Sequence, residues 1–229
     1  MGLIDLTSEP VARAAARPPL VALEPRVSTA RTDVWKRAID VVLGTFFLII
    51  SVPIVIVASV AIVLVSHGAP IFVQQRVGKN GKPFKMFKLR TMVDGAHLLH
   101  DELRHLSEVD GPVLKIRKDP RLHPLGAFLR KTSIDELPNF LNVLFGDMSL
   151  VGPRPPLPCE VVHYSEYACR RLSVKPGITG LWQISGRSNV SFDEWMRLDN
   201  LYIDTMTPVG DLGIILRTIP AVIRGVGAH

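Results

Sequence analysis

Hydrophobic and polar positions fall into segments of different period along this chain. From Val41 to Val65, "VVLGTFFLIISVPIVIVASVAIVLV", 25 residues pass without a charge. As a straight helix they would reach about 38 Å, against a bilayer hydrocarbon core of about 30 Å. Pro53 interrupts the run, removing a backbone donor and crowding the preceding turn, and Ser51 can offer its hydroxyl to a carbonyl freed there. The run is expected to bend at Pro53 into halves of about 18 to 20 Å, each too short to cross alone.

The flanking charges bear on topology. Residues 18–37 hold Arg26, Arg31, Lys36 and Arg37, and residues 66–85 hold Arg76, Lys79, Lys82 and Lys85, four against four. A null positive-inside bias predicts that the segment enters and leaves on the cytoplasmic side, as a re-entrant helical hairpin. A proline-kinked spanning helix is the alternative. The run starts too late and is too long for a secretory signal.

Beyond it, "APIFVQQRVGKNGKPFKMFKLRTM" alternates apolar and polar residues on both sides of Lys79-Asn80-Gly81-Lys82, which predicts a β-hairpin whose Asn-Gly supplies positive φ. Leu99, Leu103 and Leu106 predict a helix over 94–106, with His97, Asp101 and His105 on another face. Those three are an ordinary polar face, with a metal site as the weaker reading. "PCEVVHYSEYACRRL" and "FDEWMRLDNLYID" are further helix candidates, the second with aromatic and leucine positions suited to an interface. "DLGIILRTIPAVIRGVGAH" fits an amphipathic helix on the membrane surface, and fits core packing equally. Residues 1–34, rich in Ala, Pro and Arg, carry no period and read as a disordered cytoplasmic tail.

Composition narrows the partners. Of 229 residues, 27 are Lys or Arg and 21 Asp or Glu, a net +6 with pI near 9.6. Such a balance favours anions: lipid headgroups, nucleic acid or phosphorylated metabolites. No nucleic-acid module is recognisable, and basic residues beside a membrane segment are explained by anionic lipid, so nucleic acid is not an expected partner. Cys159 and Cys169 are expected to be free thiols in a reducing compartment.

The candidate chemistry lies in "LRKTSIDELPNFLNVLFGDMSLVGPRP". Ser133-Ile-Asp-Glu136 matches a capping box, which alone would account for Glu136. The surroundings allow a second reading. A carboxylate at a helix N-terminus near Arg130 has its ionised form favoured by dipole and cation, so Asp135 is expected to be an available anion that attracts a divalent metal and a phosphate. Arg154, between Pro153 and Pro155, sits on a stiff turn that preorganises its guanidinium for phosphate. "KPGITGLWQISGRS" has three glycines with Trp182, Gln183 and Arg187, suited to close approach to a base or sugar.

Three of these stretches, "FKLRTM" at Phe87, "DPRLHPLGAFLRKTSIDELPNFLNVLFGDMSLVGPRP" at Asp119 and "VKPGITGLWQISGR" at Val174, resemble in order the bacterial sugar transferases that load polyprenyl phosphate, the monotopic phosphoglycosyl transferases. The likeness runs from about Trp35 to the C-terminus. That family has a re-entrant helix broken by proline, often as Ser-Pro, where this chain reads Ser51-Val52-Pro53.

The resemblance implies an α/β-type small monotopic membrane enzyme on the cytoplasmic face of a bacterial inner membrane. Its parts would be the tail (1–34), a re-entrant hairpin bent at Pro53 (35–66), and a mostly helical cytoplasmic catalytic domain (67–229) with a short β-hairpin and surface amphipathic helices. It also implies that Asp135 attacks the β-phosphate of a UDP-sugar, that UMP leaves, and that polyprenyl phosphate takes the sugar phosphate from the aspartyl intermediate. Mg²⁺ on Asp135, with Glu136 beside it, would neutralise the diphosphate. Arg130 and Arg154, with Lys88 and Arg90 as weaker candidates, would bind phosphate, and Gln183 and Arg187 the nucleotide sugar. The chain's short C-terminus and few membrane segments resemble the short exopolysaccharide-type members, with galactose or glucose the sugars to try first. Membrane lipids are expected partners, and a homodimer is left open. A phosphatidyltransferase-like lipid enzyme, which would use several aspartates on a helix pair, fits the single dyad poorly.

Overall fold

The computed structural model describes residues 30–96, 98–99, 102–107, 112–114, 116, 118–185 and 190–224. His97, Asp101, Arg187 and most of the N-terminal tail lie outside them.

The apolar run is part of α1 (Ala30–Ser66), a 37-residue helix that continues through Pro53. It starts inside the expected tail, before Trp35. Asp33–Ser66 is the described segment long and apolar enough to cross a membrane by length and composition. Its side chains are sorted by the helical period. Asp40, Gly44, Ser51, Ala58 and Ile62 are buried along one stripe, while Val42, Phe46, Ile49, Val57, Val60 and Leu64 are exposed around it. Ser51 Oγ donates to Leu48 O at 2.9 Å. That carbonyl is one residue short of Ile49, whose i+4 donor Pro53 lacks. The hydroxyl therefore does not serve the carbonyl that proline frees.

Both ends of α1 pack on the same globular body. Near its start, Ile39, Leu43 and Phe47 border the central core of Met86, Val143, Leu150, Val151, Tyr202 and Ile203. Phe47 stacks on Phe140 with centroids 5.6 Å apart. Lys36 donates to Val151 O and Tyr202 OH, each at 2.9 Å, and pairs with Asp211 at 2.5 Å. Asp40 Oδ1 accepts from Ser149 Oγ and Leu150 N, both at 2.9 Å. Near its end, Ala58 and Ile62 join Leu89 and Leu129 in a separate cluster.

The hairpin forms as its alternation predicts. β1 (Ile71–Val77) pairs antiparallel with β2 (Pro83–Leu89), and Asn80 takes φ 57° at the turn, with Gly81 at 75°. The helix expected over 94–106 is not built: its described residues form turns and a 3₁₀ segment, Arg104–Leu106, with Leu99 and Leu106 exposed. His105 is exposed and its ring meets Glu102 O. Leucines at helical spacing make a core face only where a partner surface covers them, and Leu99 and Leu106 have none that buries them.

The stretch around Asp135 follows as α2 (Gly126–Lys131), a 3₁₀ turn (Ile134–Glu136) and α3 (Asn139–Phe145). β3 (Ser149–Val151) then pairs in parallel with β4 (Gly177–Thr179), a pairing that three-residue strands do not announce in sequence. The helix expected over "PCEVVHYSEYACRRL" is broken. α4 (Pro158–Val161) and α5 (Glu166–Cys169) are separated where Ser165 caps the second, and Arg170–Ser173 is 3₁₀. α6 (Leu181–Ile184) follows β4. α7 (Phe192–Thr205) forms as predicted but buries Trp195, Met196, Leu198, Tyr202 and Ile203 instead of offering them to an interface. α8 (Pro208–Arg224) buries Ile214 and exposes Val209, Leu212, Leu216 and Ile219, an amphipathic surface helix that also contributes to the core. Both cysteines are free.

Candidate active site

Asp135 sits on the 3₁₀ turn that Ser133 introduces. Ser133 adopts φ 57°, ψ 18°, a left-handed conformation uncommon for a non-glycine residue, and its side chain caps nothing. The capping box is therefore absent, because its serine lacks the extended backbone that aims a cap at the third amide. Without it, capping cannot explain Glu136. Lys88 in β2 does instead: its Nζ donates to Glu136 Oε1 at 2.6 Å.

Asp135 is 7% exposed and forms no ion pair within 4 Å among the described residues. Burial pushes its carboxyl up to about 6, the charge of Glu136 adds to this, and Lys88 and Arg130 act against it. The carboxyl stays mostly ionised at neutral pH, but desolvation outweighs the cations and the helix end that were expected to favour its charge. A carboxylate taken from water in this way is poorly solvated and reactive towards an electrophile that enters the site.

Cations surround the pair. Arg130 on α2 donates Nε to Thr91 Oγ1 at 3.1 Å, and burial lowers its pKa against the opposing pull of Asp135 and Asp119. Lys88 is likewise lowered by burial, against Glu136 and Asp135. Arg154 contributes to the field at Lys88, Arg130 and Arg76, and its guanidinium forms no hydrogen bond or ion pair among the described residues. Arg90 is different. Its guanidinium donates to Ser66 O and Oγ at the end of α1 and pairs with Asp94 at 2.5 Å. Its two terminal nitrogens are employed in closing α1 onto the domain, while Nε is buried without a partner.

The turn that carries Arg154 begins where Gly152 and Gly177 approach closely. A Cβ on Gly177 would lie 2.1 Å from Gly152 N, so no side chain fits there. Four successive carbonyls of the turn are then held by donors distant in sequence. Pro153 O accepts from Gly177 N at 2.9 Å and Pro156 O from Val77 N at 3.0 Å. Arg154 O accepts from Arg171 Nη2 at 3.0 Å, and Pro155 O from Arg76 Nη1 at 2.9 Å. Arg76 and Arg171 went unnoticed in the sequence. Arg76 looked like one more flanking charge, and only its place in a half-buried strand hinted otherwise; for Arg171 no sequence signal existed.

Gln183 lies on α6. A Cβ on Gly180 would meet Gly152 O at 2.4 Å and Gln183 Oε1 at 2.6 Å, so Gln183 is brought beside the start of the arginine turn. Its Oε1 is buried without a partner. Arg187, its expected companion, is outside the described residues.

No group of three His, Cys, Asp or Glu side chains that could hold a metal occurs among the described residues. The dyad nevertheless fits Mg²⁺, which commonly takes one or two carboxylates from protein and completes its shell with water and substrate phosphate. Two adjacent carboxyls, one pushed up by burial and by the other's charge, are a donor pair that a divalent cation would relieve.

The bacterial sugar transferase family matches residues 31–225. The galactosyl transferase CpsE of Streptococcus agalactiae serotype III is 52% identical over 163 residues, covering 70% of this chain and 36% of that protein. The undecaprenyl-phosphate galactose phosphotransferase of Salmonella typhimurium is 37% identical over 217 residues, covering 92% and 45%. The UDP-glucose:undecaprenyl-phosphate glucose-1-phosphate transferase of Caulobacter vibrioides is 41% identical over 216 residues, covering 90% and 74%. The chain thus spans less than half the length of the first two.

Proposed function

The chain belongs to the bacterial sugar transferase family, and we propose that it transfers a hexose 1-phosphate from a UDP-sugar to polyprenyl phosphate, releasing UMP. The observation that carries the reading is the buried Asp135 carboxyl, raised to about 6 beside Lys88 and Arg130, with Arg154 acting on both of those cations. The names of the relatives support the sugar, galactose or glucose, and the lipid acceptor.

An Asp135 Oδ attacks the phosphorus that bears the sugar, the bond from that phosphorus to the UMP oxygen breaks, and UMP leaves. An oxygen of polyprenyl phosphate then attacks the aspartyl phosphosugar at the same phosphorus and frees the carboxylate. Two half-reactions allow a water-soluble donor and a lipid acceptor to use one site in turn. Arg130 and Arg154 hold phosphoryl oxygens as charge builds on them, Lys88 fixes Glu136 and favours ionised Asp135, and Gln183 faces the nucleotide sugar. Bound Mg²⁺ supplies charge neutralisation of the diphosphate, with Asp135 and Glu136 as its protein oxygens. The product begins a surface-polysaccharide repeat unit.

We place the enzyme on the cytoplasmic face of a bacterial inner membrane, with α1 re-entrant. Support comes from the two ends of α1: Lys36 and Asp40 at one, Ala58, Ile62 and Ser66 at the other, touch the same domain. A spanning helix separates its ends by about 30 Å of hydrocarbon. The exposed flank of α1 and the outer face of α8 would meet lipid.

The test is incubation of the full chain with UDP-galactose, UDP-glucose and related donors, following UMP and intact mass. One equivalent of UMP without acceptor, and a phosphosugar on a peptide containing Asp135, is the expected result. Lipid product formed readily with no adduct would mean direct transfer.

A further inference from the structure

Two buried guanidiniums meet adjacent carbonyls of the arginine turn. Arg76 is 5% exposed, and its hydrogen-bond partners are neutral: Nε and Nη2 donate to Gln74 Oε1 at 3.0 and 2.6 Å, and Nη1 to Pro155 O at 2.9 Å. Arg171 is 2% exposed and more firmly fixed. It pairs with Asp199 at 2.7 Å, donates Nη1 to Tyr164 OH at 2.9 Å, lies 4.9 Å from the Trp195 ring centroid, and reaches Arg154 O with Nη2 at 3.0 Å. The first comes from β1, the second from the 3₁₀ segment after α5, and both converge on one dipeptide.

We propose that Arg76 and Arg171 are positioning residues for Arg154, clamping the Arg154 and Pro155 carbonyls that directly follow its Cα so that the Arg154 side chain is presented to the donor diphosphate. This rests on the transfer reading of the same site.

A loop that only needed anchoring could be held by amides, as Pro153 O and Pro156 O are, by Gly177 N and Val77 N. Arg171 has Asp199 as its counter-charge, but Arg76 has no paired carboxylate among the described residues, so its guanidinium adds like charge beside the half-buried Arg154. Burial and Arg154 push Arg76 down to about 10, with Glu160 and Glu136 acting against them. Such repulsion is unfavourable in the empty site and is relieved when a di- or triply charged anion enters. Fixing the backbone after the Arg154 Cα, with Pro153 O held before it by Gly177 N, also removes conformational freedom that would otherwise be lost on binding.

The experiment is a double-mutant cycle on the full chain. Arg76→Met and Arg171→Lys are each made alone and with Arg154→Ala, and read as UMP release under single turnover and as UDP affinity by calorimetry. Each single change is expected to slow UMP release about tenfold and to weaken UDP binding about fivefold, while folding is kept. In the Arg154→Ala background each should slow it by less than about twofold, because there is no side chain left to position. Effects that multiply instead would overturn the proposal and leave the two arginines as general scaffold. Should Arg76→Met fail to fold, the Arg171→Lys arm decides alone, since it keeps the charge paired with Asp199. If wild-type protein releases no UMP from any UDP-sugar, the transfer reading fails, while the UDP-affinity cycle still decides positioning by the same additivity criterion.

Discussion

Lys88 Nζ stands 2.6 Å from Glu136 Oε1 across 48 positions of sequence, and leaves the adjacent Asp135 carboxyl buried without an ion pair among the described residues. Two neighbouring carboxylates are thereby given different states: Glu136 is paired, and Asp135 is raised to about 6 by burial. Lys88 is the strongest influence holding Asp135 ionised. Lys88→Met is therefore expected to move the acid limb of the pH–rate profile for UMP release upward by about one unit, and Lys88→Arg to leave it nearly in place. An unmoved limb in the methionine variant would detach Lys88 from the dyad.

In the proposed mechanism Asp135 attacks as the carboxylate. UMP release should fall about tenfold per pH unit below about 6 and be level above it. The stability consequence has the opposite sign. The folded chain binds this proton more tightly than the unfolded chain, whose carboxyl titrates near 3.8, so ionisation opposes folding above about pH 6 and the penalty fades as pH falls towards about 4. Asp135→Asn should thus be more stable than wild type by about 1–2 kcal/mol at pH 7.5, match it near pH 4, and release no UMP. Denaturant melts at the two pH values check the sign.

Arg154 and Arg130 are expected to act on turnover. Alanine at either position should slow transfer by roughly tenfold to a thousandfold, with the larger stability loss at Arg130, which also holds Thr91 at 3.1 Å. Arg154→Lys should restore part of the rate, since an ammonium lacks the planar fork. Near-normal kcat in both alanine variants would remove them from the phosphate site.

Arg90 gives the contrasting outcome. Its contacts are Ser66 and Asp94, so Arg90→Ala should lower stability by about 1–3 kcal/mol while kcat stays within about threefold of wild type. A large kcat loss with an unchanged melt would return it to the active site.

For topology, single cysteines at positions 35 and 82, on a background lacking Cys159 and Cys169, should both be labelled from the cytoplasmic side of inverted vesicles. Both native positions are exposed and flank α1. Labelling of position 35 from the periplasmic side would make α1 a spanning helix. Pro53→Leu is expected to shift some molecules toward that state.

The sequence by itself determined the elements that depend on near neighbours. An uncharged 25-residue run can only be a helix in an apolar setting, Asn80-Gly81 between alternating strands makes a hairpin, and the period of Phe192–Thr205 makes an amphipathic helix. It also put Asp135, Arg130 and Arg154 in candidate roles, because their motifs are short and ordered. What depends on distant neighbours only the tertiary structure decided. Leucine spacing over 94–106 was read as a helix because period says nothing about whether a partner surface exists. Ser133 looked like a cap because the residue type fits, yet a left-handed backbone turns it away. Arg90 and Lys88, two residues apart in one motif, go to different partners, Ser66 and Asp94 for one and Glu136 for the other. The raised carboxyl of Asp135 and the convergence of Arg76 and Arg171 on the arginine turn arise from burial and from contacts 79 and 17 positions apart, and desolvation is a property of the packed chain that no local pattern carries.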